Sequence, residues 1–286
     1  MTATPLPSPL PFPRPAPDVL DDDLLILLQG MPSGLAAPRA PVLRERVLDR
    51  VARSARASRR FVTVRRSDAP AEPVAAGVAL RTLYEAGRGP RRAGEPARVQ
   101  LIELGAGTAW AGPSGHGWPA DGLLREWLLM RGQARLGSVD LAERDYHRAA
   151  AGTPCGALAS VTGALLYLRE ASPAAGERPD APFTLRDAEC GWDDFAPGIK
   201  RRVLWQSQGE AAMLYHALPG AAVPRHGHQR DEECLMLDGE LFLDEVLLRS
   251  GDYQLAPAST AHGGVFTDTG VVLFAHGDLQ LDVLPG

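Results

Sequence analysis

Residues 220–239 read GAAVPRHGHQRDEECLMLDG, with His226, His228 and Glu232 in the order H-x-H-x3-E between Gly220 and Gly239. Downstream, GDYQLAPASTAH ends in His262. Successive side chains on a strand alternate faces, so His226 and His228 point the same way. A carboxylate after a short loop and a third imidazole from a later strand can close a four-ligand set. Such a set suits Zn, Fe, Mn or Ni and can leave coordination positions open. The pattern therefore predicts a metal site inside a small β-barrel. Glu232 and Glu233 compete for the carboxylate role, and both the spacing and the alternation favour Glu232. Cys234 and Met236 then face inward with Glu232, while Glu233, Leu235 and Leu237 face the other way. Cys234 is thus a candidate neighbour of the metal, behind the direct ligands.

The full spacing is G-x5-H-x-H-x3-E-x6-G, followed by G-x5-P-x-S-x2-H from Gly251 through Pro257 and Ser259 to His262. It resembles the two motifs of the cupin family, with Ser259 where the family usually has Gly. The resemblance implies a cupin barrel, a double-stranded β-helix of jelly-roll type, with His226, His228, Glu232 and His262 as metal ligands. One divalent metal per chain is expected, zinc first, with iron, manganese and nickel compatible.

A second, weaker copy of the same unit precedes this one. A shift of 107 residues aligns EWLLMRGQARLGSVDLAERDYHRAAAGTPC, from Glu126, with ECLMLDGELFLDEVLLRSGDYQLAPASTAH, from Glu233. Gly132 meets Gly239, Asp145-Tyr146 meets Asp252-Tyr253, and the register holds without a gap through LYLREA and LFAHGD. Internal repetition of this kind marks a duplication. The ligands are not kept: Pro119 falls at His226, Asp121 at His228, Arg125 at Glu232 and Cys155 at His262. A guanidinium where a carboxylate should stand opposes a cation site, so the first barrel is expected to be metal-free. His116, in a Gly-rich loop, is read as solvated.

The composition agrees with two β domains. The chain has 286 residues, 45% of them apolar, with 30 Gly and 25 Pro. That length allows a core in each of two domains, and abundant Gly and Pro favour turn-rich β structure. No apolar run approaches a membrane span and no secretory leader is visible, so no membrane association is expected. Three widely spaced cysteines, Cys155, Cys190 and Cys234, do not make a disulfide framework, and a reducing cytoplasm is the expected location. The expected organisation is a Pro-rich disordered tail (1–18), a helical N-terminal segment (19–60), a degenerate barrel (61–170), a linker (171–182) and a metal-binding barrel (183–286).

The N-terminal run DDDLLILLQGMPSGLAAPRAPVLRERVLDRVA looks like the helical connector of cytoplasmic anti-sigma factors. CGWDDFAPGIKRRVLW, HGHQRDEE and GDYQLAP make the second barrel similar to the cupin of the ChrR group. In that group a zinc-binding N-terminal domain grips an extracytoplasmic-function sigma factor, and the C-terminal zinc cupin senses singlet oxygen or related stress. The resemblance implies a stress-sensing regulator of anti-sigma type rather than an enzyme. The sigma factor, or another protein, would be held by the N-terminal helices, and a homodimer could form through the barrels. The group's H-x3-C-x2-C zinc motif is missing, since no Cys or His precedes His116. The Arg-rich helix expected over residues about 41–58 is read as a solvated face, with no direct nucleic-acid binding. The competing expectation is an Fe(II) cupin dioxygenase acting on a diketone or phenolic ketone, because the ligand set is complete.

Overall fold

The computed structural model describes residues 61–87, 95–173 and 181–284. The expected Pro-rich tail, the helical segment 19–60 and most of the linker lie outside the described residues. Among the described residues the fold is all-β, with one helical turn at Asp187–Glu189. No helix among them is long and apolar enough to cross a membrane.

Two ten-stranded antiparallel sheets curl into barrel-like units. In the first, the main path runs Phe183–Leu185, Tyr146–Ala149, Leu124–Leu136, Ala164–Ala171, Pro96–Leu104, Val78–Glu85, Glu72–Ala75. In the second it runs Val62–Val64, Tyr253–Ala256, Glu232–Leu243, Val271–Asp278, Glu210–Ala217, Ile199–Ser207, Asp193–Ala196. The two paths are the same, element for element, as a duplication requires. Each unit turns its long strand sharply at a glycine. Gly132 and Gly239 have φ of 85° and 75°, and a Cβ on either would lie 2.2 or 2.1 Å from the carbonyl oxygen of Gly163 or Gly270. Only glycine fits there.

The edge strands are exchanged, which the sequence reading did not anticipate. Val62–Val64 was expected in the first barrel, yet it pairs with Tyr253–Leu255 of the second. Phe183–Leu185 was expected in the second, yet it pairs with Tyr146–Arg148 of the first. The same clamp holds both. Arg65 Nη1 donates to Asp252 Oδ2 at 2.9 Å and the Arg66 N–H to Asp252 Oδ1 at 2.9 Å. Arg186 Nη1 donates to Asp145 Oδ2 at 2.9 Å and the Asp187 N–H to Asp145 Oδ1 at 2.8 Å. The signal in the sequence is the shared pattern of FVTVR at Phe61 and FTLR at Phe183.

The faces turned away from the barrel interiors pack on each other. Leu101, Leu128, Tyr146 and Tyr167 of one unit join Leu214, Leu235, Tyr253 and Phe274 of the other in one buried cluster. Glu233 therefore does not meet solvent. It is 1% exposed, accepts from Arg169 Nε at 2.7 Å and from Tyr253 Oη at 2.9 Å. Arg169 also donates to Glu126 Oε2 at 2.9 Å, and Tyr146 Oη makes a short bond to the same carboxylate. His276, the counterpart of Arg169, places Nε2 3.3 Å from Glu126 Oε2. Each glutamate is thus held by its own tyrosine and by a base shared between the barrels.

Replacing Arg169 with Met should leave two carboxylates buried without their cation. Loss of one partner from such a network costs about 3–5 kcal/mol. Urea unfolding should show a drop of that order, and adding Glu233→Gln and Glu126→Gln should recover part of it. An unchanged midpoint in the single variant would show that the network does not hold the barrels together.

Candidate metal centre

The first barrel carries an arginine where the second carries Glu232. Arg125 is 2% exposed and its guanidinium fills the ligand region. It donates to Asp121 Oδ2 at 2.7 Å, Glu170 Oε1 at 2.8 Å and the Pro119 carbonyl at 2.9 Å. The positions aligned with His226 and His228 thus serve an internal cation. Strand pairing refines one correspondence. Trp118 bridges Cys155 as His226 pairs with His262, so Trp118 rather than Pro119 stands in the place of His226. His116 is exposed, away from these contacts.

In the second barrel the four ligand candidates converge. The short strand His226–Gly227 pairs with Ala261–His262 on one side and Asp282–Val283 on the other, which sets His226 directly against His262. The loop between is pinned by the His228 N–H to Thr260 O at 3.0 Å and the Ser259 N–H to His228 O at 2.7 Å. Ser259 adopts φ 65°, a left-handed conformation that explains why glycine is usual at this position. Glu232 opens the strand Glu232–Leu243. His226, His228 and Glu232 each offer a ligand atom, all within 4.8 Å of one another. The Nε2 of His262 is 3.6 Å from Glu232 Oε2, and the rings of His228 and His262 are 4.9 Å apart.

The donor set fits a divalent cation. Nε2 of His228 and Nε2 of His262 are buried without a hydrogen-bond partner, a costly state for an imidazole unless an ion shares the site. Nδ1 of His226 lies 3.0 Å from the Pro224 carbonyl, to which it can only donate, so Nε2 keeps its lone pair. Nδ1 of His262 lies 3.2 Å from Asp244 Oδ2, and Asp244 also accepts the N–H groups of Gly263 and Gly264. A carboxylate behind a ligand histidine fixes its ring and raises its basicity. Sequence reasoning missed Asp244; its signal was an acidic residue in the hairpin turn LDEV beside the ligand strand.

Electrostatics follow the same geometry. Burial pushes the Glu232 carboxyl up, but the nearby His262 and the other two imidazoles outweigh it and hold it at about 2. Burial pushes His262 down, but Asp244 and Glu232 outweigh it and raise it to about 9. His228 is lowered, mainly by burial. Cys234 does line the cavity beside Glu232, as the alternation requires. Its thiol, however, is pushed well above the usual range by burial and by Glu232 and Glu233. Two carboxylates and a dry setting thus hold the proton on sulfur.

The metal-free chain gains stability from His262 fully below the unfolded value near 6.5, and loses it as pH rises through about 9. Glu232 contributes above its unfolded value near 4.5, and loses that as pH falls toward about 2. The pair should therefore favour the metal-free fold most between these unfolded values. Metal must displace the His262 proton, so apparent affinity should climb with pH up to about 9. Asp244→Asn should weaken metal affinity about 10–100-fold, measured by chelator competition. An unchanged affinity in that variant would remove Asp244 from the site.

Comparison with known proteins agrees with this architecture. Residues 180–280 match the family model of the ChrR cupin-like domain. No curated protein sequence matches the chain. Among solved structures, a candidate dioxygenase from Nostoc punctiforme is 16% identical, with a TM-score of 0.59 over 80% of this chain and 88% of that one. Oxalate decarboxylase of Lactobacillus farciminis is 13% identical, with a TM-score of 0.58 over 77% of this chain and 87% of its own. A candidate glyoxylate-induced protein from Pseudomonas aeruginosa is 10% identical, with a TM-score of 0.59 over 77% and 89%. At these identities the likeness is one of fold, and its span takes in both barrels. The second barrel, residues 180–280, is a ChrR-like cupin domain.

Proposed function

We propose that this chain is a regulatory bicupin: one divalent ion, zinc by preference, sits at His226, His228, Glu232 and His262, and its state is conveyed to a protein partner held by the N-terminal segment. The observation that carries this reading is the contact of Phe61 with His262. Their ring centroids are 5.0 Å apart, and Phe61 is buried. Phe61 is the residue at which the chain leaves the N-terminal segment, and Val62–Val64 is then added to the strand that follows the ligand strand in the sheet. A change at the metal would thus meet the exit of that segment directly. A second route runs along one strand: Glu232 is a ligand, and Glu233 beside it is tied to Arg169 of the other barrel.

In this reading the ion supplies Lewis acidity and a structural bond between separate strands. The chain's own residues hold and orient it, and Asp244 keeps the His262 ring in place. Arg125 makes the first barrel independent of metal. The signal acts on the ion and its imidazoles rather than on a Cys234 thiolate. The partner is a protein, an extracytoplasmic-function sigma factor in the first instance, and the setting is the cytoplasm.

A second reading is an Fe(II) dioxygenase. It is favoured by the apolar cavity into which Glu232, His226 and His262 look. The two readings separate on measurement. The purified chain should hold one metal per chain, and His228→Ala should lose it and melt at lower temperature, because the bound ion's free energy adds to the folded state. Tagged full-length chain should recover a protein partner from its native cells, and His228→Ala or Phe61→Ala should change that recovery. Oxygen uptake by the Fe(II) form on a diketone at about 1 s⁻¹ or faster, with no partner recovered, would establish the enzyme instead. Undiminished metal in His228→Ala would end both.

A further inference from the structure

The interiors of the two barrels differ in one systematic way. In the first, Trp110, Trp118 and Trp127 stack edge to face, with centroids 5.3 and 4.5 Å apart, within its buried apolar cluster. Strand pairing and the repeat register identify their counterparts. Trp110 opposes Leu158 as Val223 opposes Val265; Trp118 opposes Cys155 as His226 opposes His262; Trp127 corresponds to Cys234. Leu168 likewise corresponds to Ala275. At each place the second barrel has the smaller side chain. All four smaller residues line a cavity of about 70 Å³ that reaches Glu232 and His262.

A hollow of this kind is destabilising unless something fills it. Its walls are apolar, with Leu243, Val265 and Leu273 among them, and among the described residues no Lys, Arg or Asp lines it. The charged groups at its surface, Glu232 and His262, both belong to the metal set. A charge carried deep into this space would be buried without a partner. An oxygen at the metal end would meet a Lewis acid. The volume is about half that of a cavity that takes benzene, so it holds about three to five non-hydrogen atoms.

Resting on the metal reading above, we propose that the second barrel binds a small one-headed molecule: a carboxylate oxygen on the metal and a short, uncharged aliphatic body in the hollow cleared of the first barrel's indoles. A short-chain monocarboxylate has this chemistry, and a dicarboxylate of the same length does not. The same molecule would serve as an effector of the regulator or as a substrate of the enzyme.

The test uses the full chain loaded with Co(II), whose visible spectrum reports its coordination. Butyrate and succinate share a four-carbon chain and differ at the far end. Butyrate should perturb the spectrum saturably, and succinate should bind at least about tenfold more weakly, since its second carboxylate would be buried unpaired. Ala275→Leu, which restores the first barrel's residue, should keep the metal and lose at least about tenfold in butyrate affinity by filling the space a body must occupy. Equal binding of the two acids, or no spectral response to butyrate in a metal-loaded chain, overturns this inference and leaves the metal site standing. A chain that retains no cobalt overturns the metal reading and this inference with it. If Ala275→Leu does not fold, the comparison of the two acids on the unaltered chain still decides.

Discussion

Arg169 is the constraint on which the arrangement of this molecule rests. It lies between Glu126 of its own barrel and Glu233 of the other, and all three are 2% exposed or less. Burying three charges is costly, and the attraction offsets it only where geometry is good and remaining lone pairs are satisfied. Tyr146 and Tyr253 supply the missing donors, one to each glutamate. His276 closes the set from the opposite side by approaching both Glu126 and Glu210. A shift of either sheet by one residue would turn these groups to the other face and strand them in an apolar layer. The network therefore specifies how the barrels meet, while Leu128, Leu235 and their neighbours supply apolar burial around it.

The exchanged strands depend on the same surface. Asp145 and Asp252 precede the tyrosines that hold the glutamates, and each clamps the arginine of a strand arriving from the other unit. One Asp-Tyr pair thus joins two tasks, an edge clamp and a buried donor. Both copies keep the pair, whereas the copies share little at the ligand positions. Joining the barrels constrains both copies alike. Binding a metal needs a cleared interior in one of them only.

Much of the candidate site was legible because its information is local. His226, His228 and Glu232 lie within one short stretch, alternation sets their faces, and His262 follows at a spacing the barrel dictates. The register of the duplication was legible for a similar reason, since Gly132 and Gly239 mark the same forced bend. What could not be read depends on contacts between distant segments. Val62–Val64 and Phe183–Leu185 each pair with the barrel other than the one that follows in sequence, and nothing local separates an exchanged edge strand from one that stays at home. Glu233 was placed on the outward face correctly, yet that face is a second core, and alternation alone cannot distinguish solvent from another sheet. Trp118 displaced Pro119 as the counterpart of His226 because loop lengths differ, and only strand pairing resolves such a shift. The Cys234 proton is a matter of local dielectric and neighbouring charge, neither of which a spacing reveals.

The divergence of the copies has a thermodynamic consequence. In the first barrel the cation at the centre is Arg125, part of the chain, so its pairing with Glu170 and Asp121 is present whenever the chain is folded. On the proposed metal reading the second barrel's cation comes from outside, and its contribution follows RT ln(1 + [L]/Kd). The interior beside it is filled with indoles in one copy and hollow in the other, which widens the difference. On that reading one barrel is stabilised unconditionally by its own cation and the other conditionally, in proportion to what it binds. Phe61 leans on the conditional one, through His262, and Arg169 ties it to the unconditional one. On this reading a loss of metal would loosen a single barrel against a neighbour that keeps its own cation, and the strand at Val62–Val64, added at that barrel's edge, would feel the loosening.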